Sequence, residues 1–341
     1  MQKKREKWID IAKGIGIILV VIGHSGNQFA HHYFFWFHMP LFFLLSGYTF
    51  KSDINKNQFW VWAKRRFFQL LIPYFSFGIF IIILISSKNM LNGKLELIDI
   101  FRDFLRLVFG GQTLKGAFAV FWFITCLLVT QVLFAILTIF VKSIKTQIII
   151  IFAAFIFGHF EGKFIIQSQV PIPWSVDVVL ISTGYFAVGF YLKKFINFPF
   201  KFRYSAIILV LSIILNFVEY FGFYSYHLDM KYHQYTNLFL DLIIPINMSL
   251  TICILSYWIS KLPKVKIIEY LGVSSLPIMY LHIPINIIFG KIIGEYNWIY
   301  FSVIGLTIPL FINLLIIKRF AFSRILLLGE IKPNNKIKVN V

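Results

Sequence analysis

The sequence predicts an all-α fold, a polytopic transmembrane bundle of about ten helices with both termini cytoplasmic. The 341 residues are 59% hydrophobic and 14% charged, with a mean hydropathy of +0.78, too apolar for a soluble domain of that size. Apolar runs of near-spanning length recur along the whole chain. Basic residues cluster between these runs, and 24 of the 33 fall on alternate connections, the asymmetry expected of cytoplasmic loops.

In order, the runs cover residues 9–25, 34–50, 67–86, 117–141, 147–160, 174–192, 204–222, 238–260, 272–290 and 297–317. Pro40, Pro73, Pro245, Pro277, Pro284 and Pro309 fall inside them and are expected to kink helices whose neighbours re-satisfy the freed backbone groups. Eight Lys and Arg lie on the opposite connections, five of them within 88–115. That segment contains LELIDIFRDFLRLVF, whose apolar residues recur at helical spacing, and an interfacial amphipathic helix is expected there.

The net charge of +19 forms no continuous basic face, so membrane topology explains it and nucleic acid is not expected as a partner. Cys126 and Cys253, both in apolar runs, offer neither a disulfide framework nor a zinc site. MQKKREKW resembles the basic region of a signal peptide, yet the apolar stretch after it holds Lys13 and ends in GHSGNQ with no small-residue cleavage pattern, and it is read as a retained first helix. With no internal repeat or long polar region, one membrane domain is expected over 1–325, followed by a short basic cytoplasmic tail, 326–341.

The chemistry-bearing residues concentrate at the amino end. Lys13 and His24 stand eleven apart in WIDIAKGIGIILVVIGHSG, so on an α-helix they share one face, about 16 Å apart along the axis. Ionisable groups at membrane depth mark a pathway or a site. Asp10 lies one turn before Lys13, within pairing range. Histidine titrates near neutrality, which suits His24 to removing a proton from a hydroxyl. His31, His32 and His38 follow within fifteen residues of His24, without a carboxylate or cysteine at ligand spacing, so no metal is expected. Lys64, Arg65 and Arg66 stand at the mouth of the third run, where an arginine fork suits phosphates. Asp177, Asn216, Glu219, Asp241 and Asn247 are expected to make interhelical hydrogen bonds, and His159, His227 and His233 to lie in loops or at the interface. Trp36, Tyr224 and Tyr226 are expected in an interfacial aromatic belt.

These motifs resemble those of the acyltransferase-3 family of integral membrane acyltransferases, most closely its fucose 4-O-acetylase-like and polysaccharide O-acetyltransferase branch. The family's first helix carries a basic residue, ten intervening residues and a histidine, with an aspartate three before the basic residue, matched by Lys13, His24 and Asp10. FHMPLFFLLSGY, Phe37 to Tyr48, is similar to the branch's second-helix motif, and KRRFFQLLIPY to its basic third-helix opening. SLPIMYLHIPI, with Tyr280 and His282, resembles its late tyrosine and histidine motif, and Trp122 its mid-chain tryptophan. Two positions depart from the pattern: Lys13 stands where the family often has arginine, and Gln69 where a second arginine often follows Arg66.

The resemblance implies an O-acetyltransferase of the plasma membrane. It would move acetyl from cytoplasmic acetyl-CoA, a substrate and not a resident cofactor, to a sugar hydroxyl of a cell-surface or lipid-linked polysaccharide. On that reading 1–325 is the acyltransferase domain. Lys13, Arg65 and Arg66 engage the acyl-CoA, His24 is the base, and Asp10 positions Lys13. His38, Ser46, Trp122, Tyr280 and His282 are acceptor-side or supporting residues. Ser25 and Ser46 are the serines available for a covalent route, though serines in membrane helices usually bond backbone. A glycan transporter or flippase is the alternative; it should show two related halves, and the Lys13 to His24 pattern has no second copy.

Overall fold

The computed structural model describes residues 6–51, 54–168, 170–195 and 202–330. Each of the ten apolar runs lies largely in helix. The first becomes α1 (Lys7–Gly23), followed by α2 (Gln28–Phe35) and α3 (His38–Thr49). After α4 (Lys56–Leu91) comes the amphipathic α5 (Leu97–Phe109), then α6 (Trp122–Phe140), α7 (Ile144–Ser168), α8 (Val179–Phe195) and α9 (Phe202–Tyr220). A small antiparallel hairpin, β1 (Leu228–Asp229) and β2 (Gln234–Tyr235), precedes α10 (Leu238–Ile259). The chain continues through α11 (Lys266–Val273), α12 (Ser275–Phe289), α13 (Trp298–Ile312) and α14 (Ala321–Leu328). Residues 331–341, most of the expected tail, lie outside the described residues.

Among the described residues seven helices are long and apolar enough to cross a membrane: α4, α6 and α8 with the turns before them, α7, α9, α10 and α13. The pair α11 and α12 makes an eighth if counted as one span bent by 79°. The remaining two runs give shorter helices, 17 residues in α1 and 12 in α3. The protein is a multi-pass membrane protein.

Three local differences from the sequence reading have physical reasons. Residues 28–33, expected as loop, join Phe34 and Phe35 in a helix of their own because Asn27 caps it, its side chain accepting from the Ala30 N–H at 2.9 Å. The second run breaks at Phe37, whose φ of −146° is not helical, so α3 begins at His38 with Pro40 in its first turn, where a missing N–H costs nothing. The sharpest bend falls at Ser274, whereas Pro73, Pro245, Pro284 and Pro309 are carried inside continuous helices.

Two helix pairs approach unusually closely through glycine. A Cβ on Gly47 would overlap the Phe186 carbonyl and one on Gly189 the Leu44 carbonyl, which fixes α3 against α8. Likewise Gly14 meets the Ile268 carbonyl and Gly272 the Asp10 carbonyl, so α11 lies flush on α1. α5 leaves Leu97, Ile98, Phe101 and Phe104 exposed and holds its charges as Arg102 to Asp99 and Arg106 to Asp103 pairs, as an interfacial helix should.

Candidate active site

The opposite faces of α1 and α3 line a cavity of about 440 Å³. Lys13, Ile17, Val20 and His24 face it from α1, and His38, Phe42, Ser46 and Thr49 from α3. Both sets follow the three- and four-residue steps of one helical stripe. α4 adds Arg66 and Leu70, α6 adds Trp122 and Phe123, and the start of α12 adds Ser275, Leu276 and Met279. A second, wider cavity of about 710 Å³ shares Lys13, Arg66, Leu70 and Leu276 with the first and is otherwise lined by Gln69 and by α14 and its end, including Arg324 and Glu330.

At the Lys13 end, Arg66 is held by two side chains. Its Nε donates to Gln131 Oε1 at 2.6 Å and its Nη1 to Gln69 Oε1 at 3.1 Å. Gln69, standing where the family often has arginine, therefore orients the remaining one. Arg65 is exposed and lines neither cavity, as does Lys64. α4 begins at Lys56, so this basic cluster sits within a continuous helix and not at its mouth, and only one of the three side chains turns inward. Asp10 is buried on α1 one turn below Lys13.

At the far end three imidazoles meet. The His24 ring centroid lies 5.3 Å from that of His282 and 6.4 Å from that of His38. Each uses Nδ1 toward a helix carbonyl: His24 to Val20 at 2.8 Å, His38 to Phe34 at 2.8 Å, and His282 to Met279 at 2.9 Å. A carbonyl only accepts, so Nδ1 carries the hydrogen and Nε2 of each neutral ring keeps its lone pair. Nε2 of His282 is buried with no hydrogen-bond partner. Such an arrangement can take up a proton at His24. His31 also lines the cavity here, whereas Ser25 is spent on the Ile22 carbonyl at 2.6 Å. Tyr280 is fully buried, stacked on Phe77 with centroids 4.7 Å apart, and does not line the cavity.

The sequence reading missed the hairpin. Leu228, Asp229, Met230, Lys231 and Tyr232 close the histidine end of the cavity. Lys231, only 5% exposed, donates Nζ hydrogens to the Leu114 carbonyl at 2.5 Å and the Ala119 carbonyl at 3.0 Å. Burial lowers its pKa to about 8, partly opposed by the Asp229 carboxylate, and burial likewise raises Asp229 above its ordinary value. Asp229 Oδ1 accepts from the Lys231 and Tyr232 N–H groups at 3.0 and 3.3 Å. The one available signal was a lysine in a connection on the side otherwise poor in basic residues.

Behind the hairpin, residues expected in loops or at the interface are buried and paired. His233 Nε2 lies 2.7 Å from Asp177 Oδ2, and His159 Nδ1 lies 3.1 Å from Asp241 Oδ2. Buried carboxylates need such partners, which is why these histidines are pulled inside. Trp36, expected in the aromatic belt, is fully buried and donates to the carbonyl of Tyr226, also buried, at 3.1 Å. Glu219 accepts from Tyr33 at 2.7 Å and meets His32 at 2.6 Å, while Asn247 donates to Ser212 at 2.6 Å, as expected of interhelical polar residues.

A family profile described as "Acyltransferase domain" matches residues 6–318, nearly the whole chain. The chain belongs to the acyltransferase-3 family. Among curated proteins it is 28% identical to nodulation protein NolL of Mesorhizobium japonicum over 233 residues, 64% of this chain and 56% of that protein. It is 40% identical to nodulation protein NolL of Sinorhizobium fredii over 81 residues, 20% of this chain and 22% of that protein. The chain thus spans at most about half the length of these relatives. No solved structure matches. The chain is thus a multi-pass membrane member of this family.

Proposed function

We propose that this acyltransferase moves acetyl from cytoplasmic acetyl-CoA to a sugar hydroxyl of a cell-surface or lipid-linked polysaccharide, on the opposite side of the plasma membrane. The observation that carries this reading is the pair of cavities meeting at Lys13 and Arg66 and ending at His24. On this reading both termini are cytoplasmic, and the wider cavity, lined by α14 near the carboxyl end, opens on the donor side. Its cations, Lys13, Arg66 and Arg324, suit the anionic part of CoA, and the slim acyl-bearing arm fits the narrower apolar channel toward His24.

In this mechanism His24 Nε2 removes the acceptor hydroxyl proton as the oxygen attacks the thioester carbon. The C–S bond then breaks, and the leaving thiolate takes the proton back from the imidazolium. The Val20 carbonyl fixes the ring and its tautomer, His38 and His282 pack their rings beside it, and Asp10 positions Lys13. Trp122 and Ser46 line the channel along which the acyl group would lie.

The test is transfer of labelled acetyl from acetyl-CoA to candidate glycans by the purified protein in lipid nanodiscs. Acetylated glycan formed with release of the CoA thiol is the expected result. Vectorial movement of a lipid-linked glycan in vesicles with no acetyl transfer would overturn the reading in favour of a transporter.

A further inference from the structure

The mechanism uses the Lys13 to His24 stripe but leaves the hairpin wall unassigned. We propose that Asp229, Lys231 and Tyr232 form an acceptor subsite selective for an uncharged pyranose, an inference that rests on the acyl-transfer reading above.

The hairpin is pinned at three separate points: Tyr226 to Trp36, Lys231 to the 114–119 segment, and His233 to Asp177. It is therefore a fixed wall of the cavity and not a loose loop. Its polar groups are unequal. Two of the three ammonium hydrogens of Lys231 are spent on the Leu114 and Ala119 carbonyls, so it lacks the spread of donors an anion requires. Asp229 gives only Oδ1 to its own turn, leaving Oδ2 to accept.

Formal charge at this end sums to one carboxylate and one ammonium, beside His24, His31 and His38 and the exposed Lys115 farther out. A sugar carboxylate entering here would meet the Asp229 carboxylate and find the nearest ammonium committed to carbonyls. An uncharged pyranose would instead donate a hydroxyl to Asp229. It would lay its C–H face on the rings of Tyr232, Trp122 and Phe35, all lining the same cavity, and present another hydroxyl to His24.

The experiment compares a methyl hexopyranoside with the matching methyl hexuronoside, using the full chain in nanodiscs free of glycoside detergent. Binding is read by saturation-transfer NMR, and the acceptor and acetyl-CoA KM values are measured separately. Asp229→Asn is the informative variant because its side-chain oxygen still caps the turn. The wild type is expected to bind the neutral glycoside about tenfold more tightly than the uronoside. In Asp229→Asn the neutral affinity falls about tenfold and the preference narrows, while the acetyl-CoA KM moves less than twofold, which a general loosening of the fold would not allow. Equal or tighter binding of the uronoside, an unchanged preference in Asp229→Asn, or binding of neither glycoside by the wild type would overturn the subsite. Selective binding without acetylation of the glycoside would leave the subsite standing and remove the acyl-transfer reading.

Discussion

Replacing His24 by alanine separates chemistry from folding, because the two costs differ in size. The side chain makes one hydrogen bond, Nδ1 to the Val20 carbonyl at 2.8 Å, and is only partly buried. Its loss leaves no orphan, since the same carbonyl still accepts the His24 backbone N–H at 3.1 Å. The stability cost is therefore about 1 kcal/mol, or a few degrees in Tm. A general base is worth about 10²–10⁴ in rate, equivalent to about 2.7–5.5 kcal/mol of activation free energy. The assay pairs initial-rate release of CoA thiol, with acetyl counted in the glycan, with thermal unfolding of the same nanodisc preparation. His24→Ala is expected to lose at least a hundredfold in kcat with a nearly unchanged Tm. Retention of kcat/KM within threefold would refute the base assignment, and a Tm drop that tracks the lost activity would make His24 a packing residue instead.

Further outcomes follow from other contacts. Arg66→Lys keeps the charge but loses the fork that Gln131 and Gln69 orient, so the acetyl-CoA KM should rise about tenfold with kcat little changed. Arg65→Ala, on the exposed side, should shift that KM less than twofold in the same donor titration. Gly272→Ala drives a methyl group into the Asp10 carbonyl and should cost about 1–3 kcal/mol, seen as a lower Tm. His233→Ala strips the buried Asp177 of its ion-pair partner and should cost about 3–5 kcal/mol, whereas the double variant with Asp177→Asn should cost less than the sum of the singles in paired thermal melts. Because burial lowers the Lys231 pKa to about 8, its ammonium charge is lost as pH rises from 7 to 9, and preference for the neutral glycoside over the uronoside, read by the same NMR titration, should grow across that window.

Helix placement was legible because lipid imposes a length and an apolar composition on every span, and each of the ten runs is largely helical. The stripe of Lys13 and His24 was legible for a related reason: a costly group at membrane depth stands out against its neighbours. The hairpin was not. Asp177 finds His233 across 56 residues, and Lys231 finds Leu114 across 117, pairings that no local periodicity records. His159 and His233 looked like loop residues because their burial is decided by the carboxylates they meet. α2 hid between two stronger apolar runs, its one local sign being Asn27 just before it.

The same glycines that were unremarkable in the sequence explain why the cavity exists. α1 turns Gly14 and the Asp10 carbonyl toward α11, and α3 turns Gly47 and the Leu44 carbonyl toward α8, so both helices are drawn tightly onto neighbours at their backs. Their other faces carry Lys13, His24, His38 and Ser46, side chains that do not close on one another, and a space remains between them. The bend at Ser274 completes this arrangement, letting α11 lie on α1 while the start of α12 turns away to supply Ser275, Leu276 and Met279 as a wall. Close packing behind and polar, imperfectly filled surface in front are thus one device. A bulkier residue at Gly272 or Gly47 would push α1 or α3 forward into the channel and narrow the path from Arg66 to His24, although neither glycine touches it.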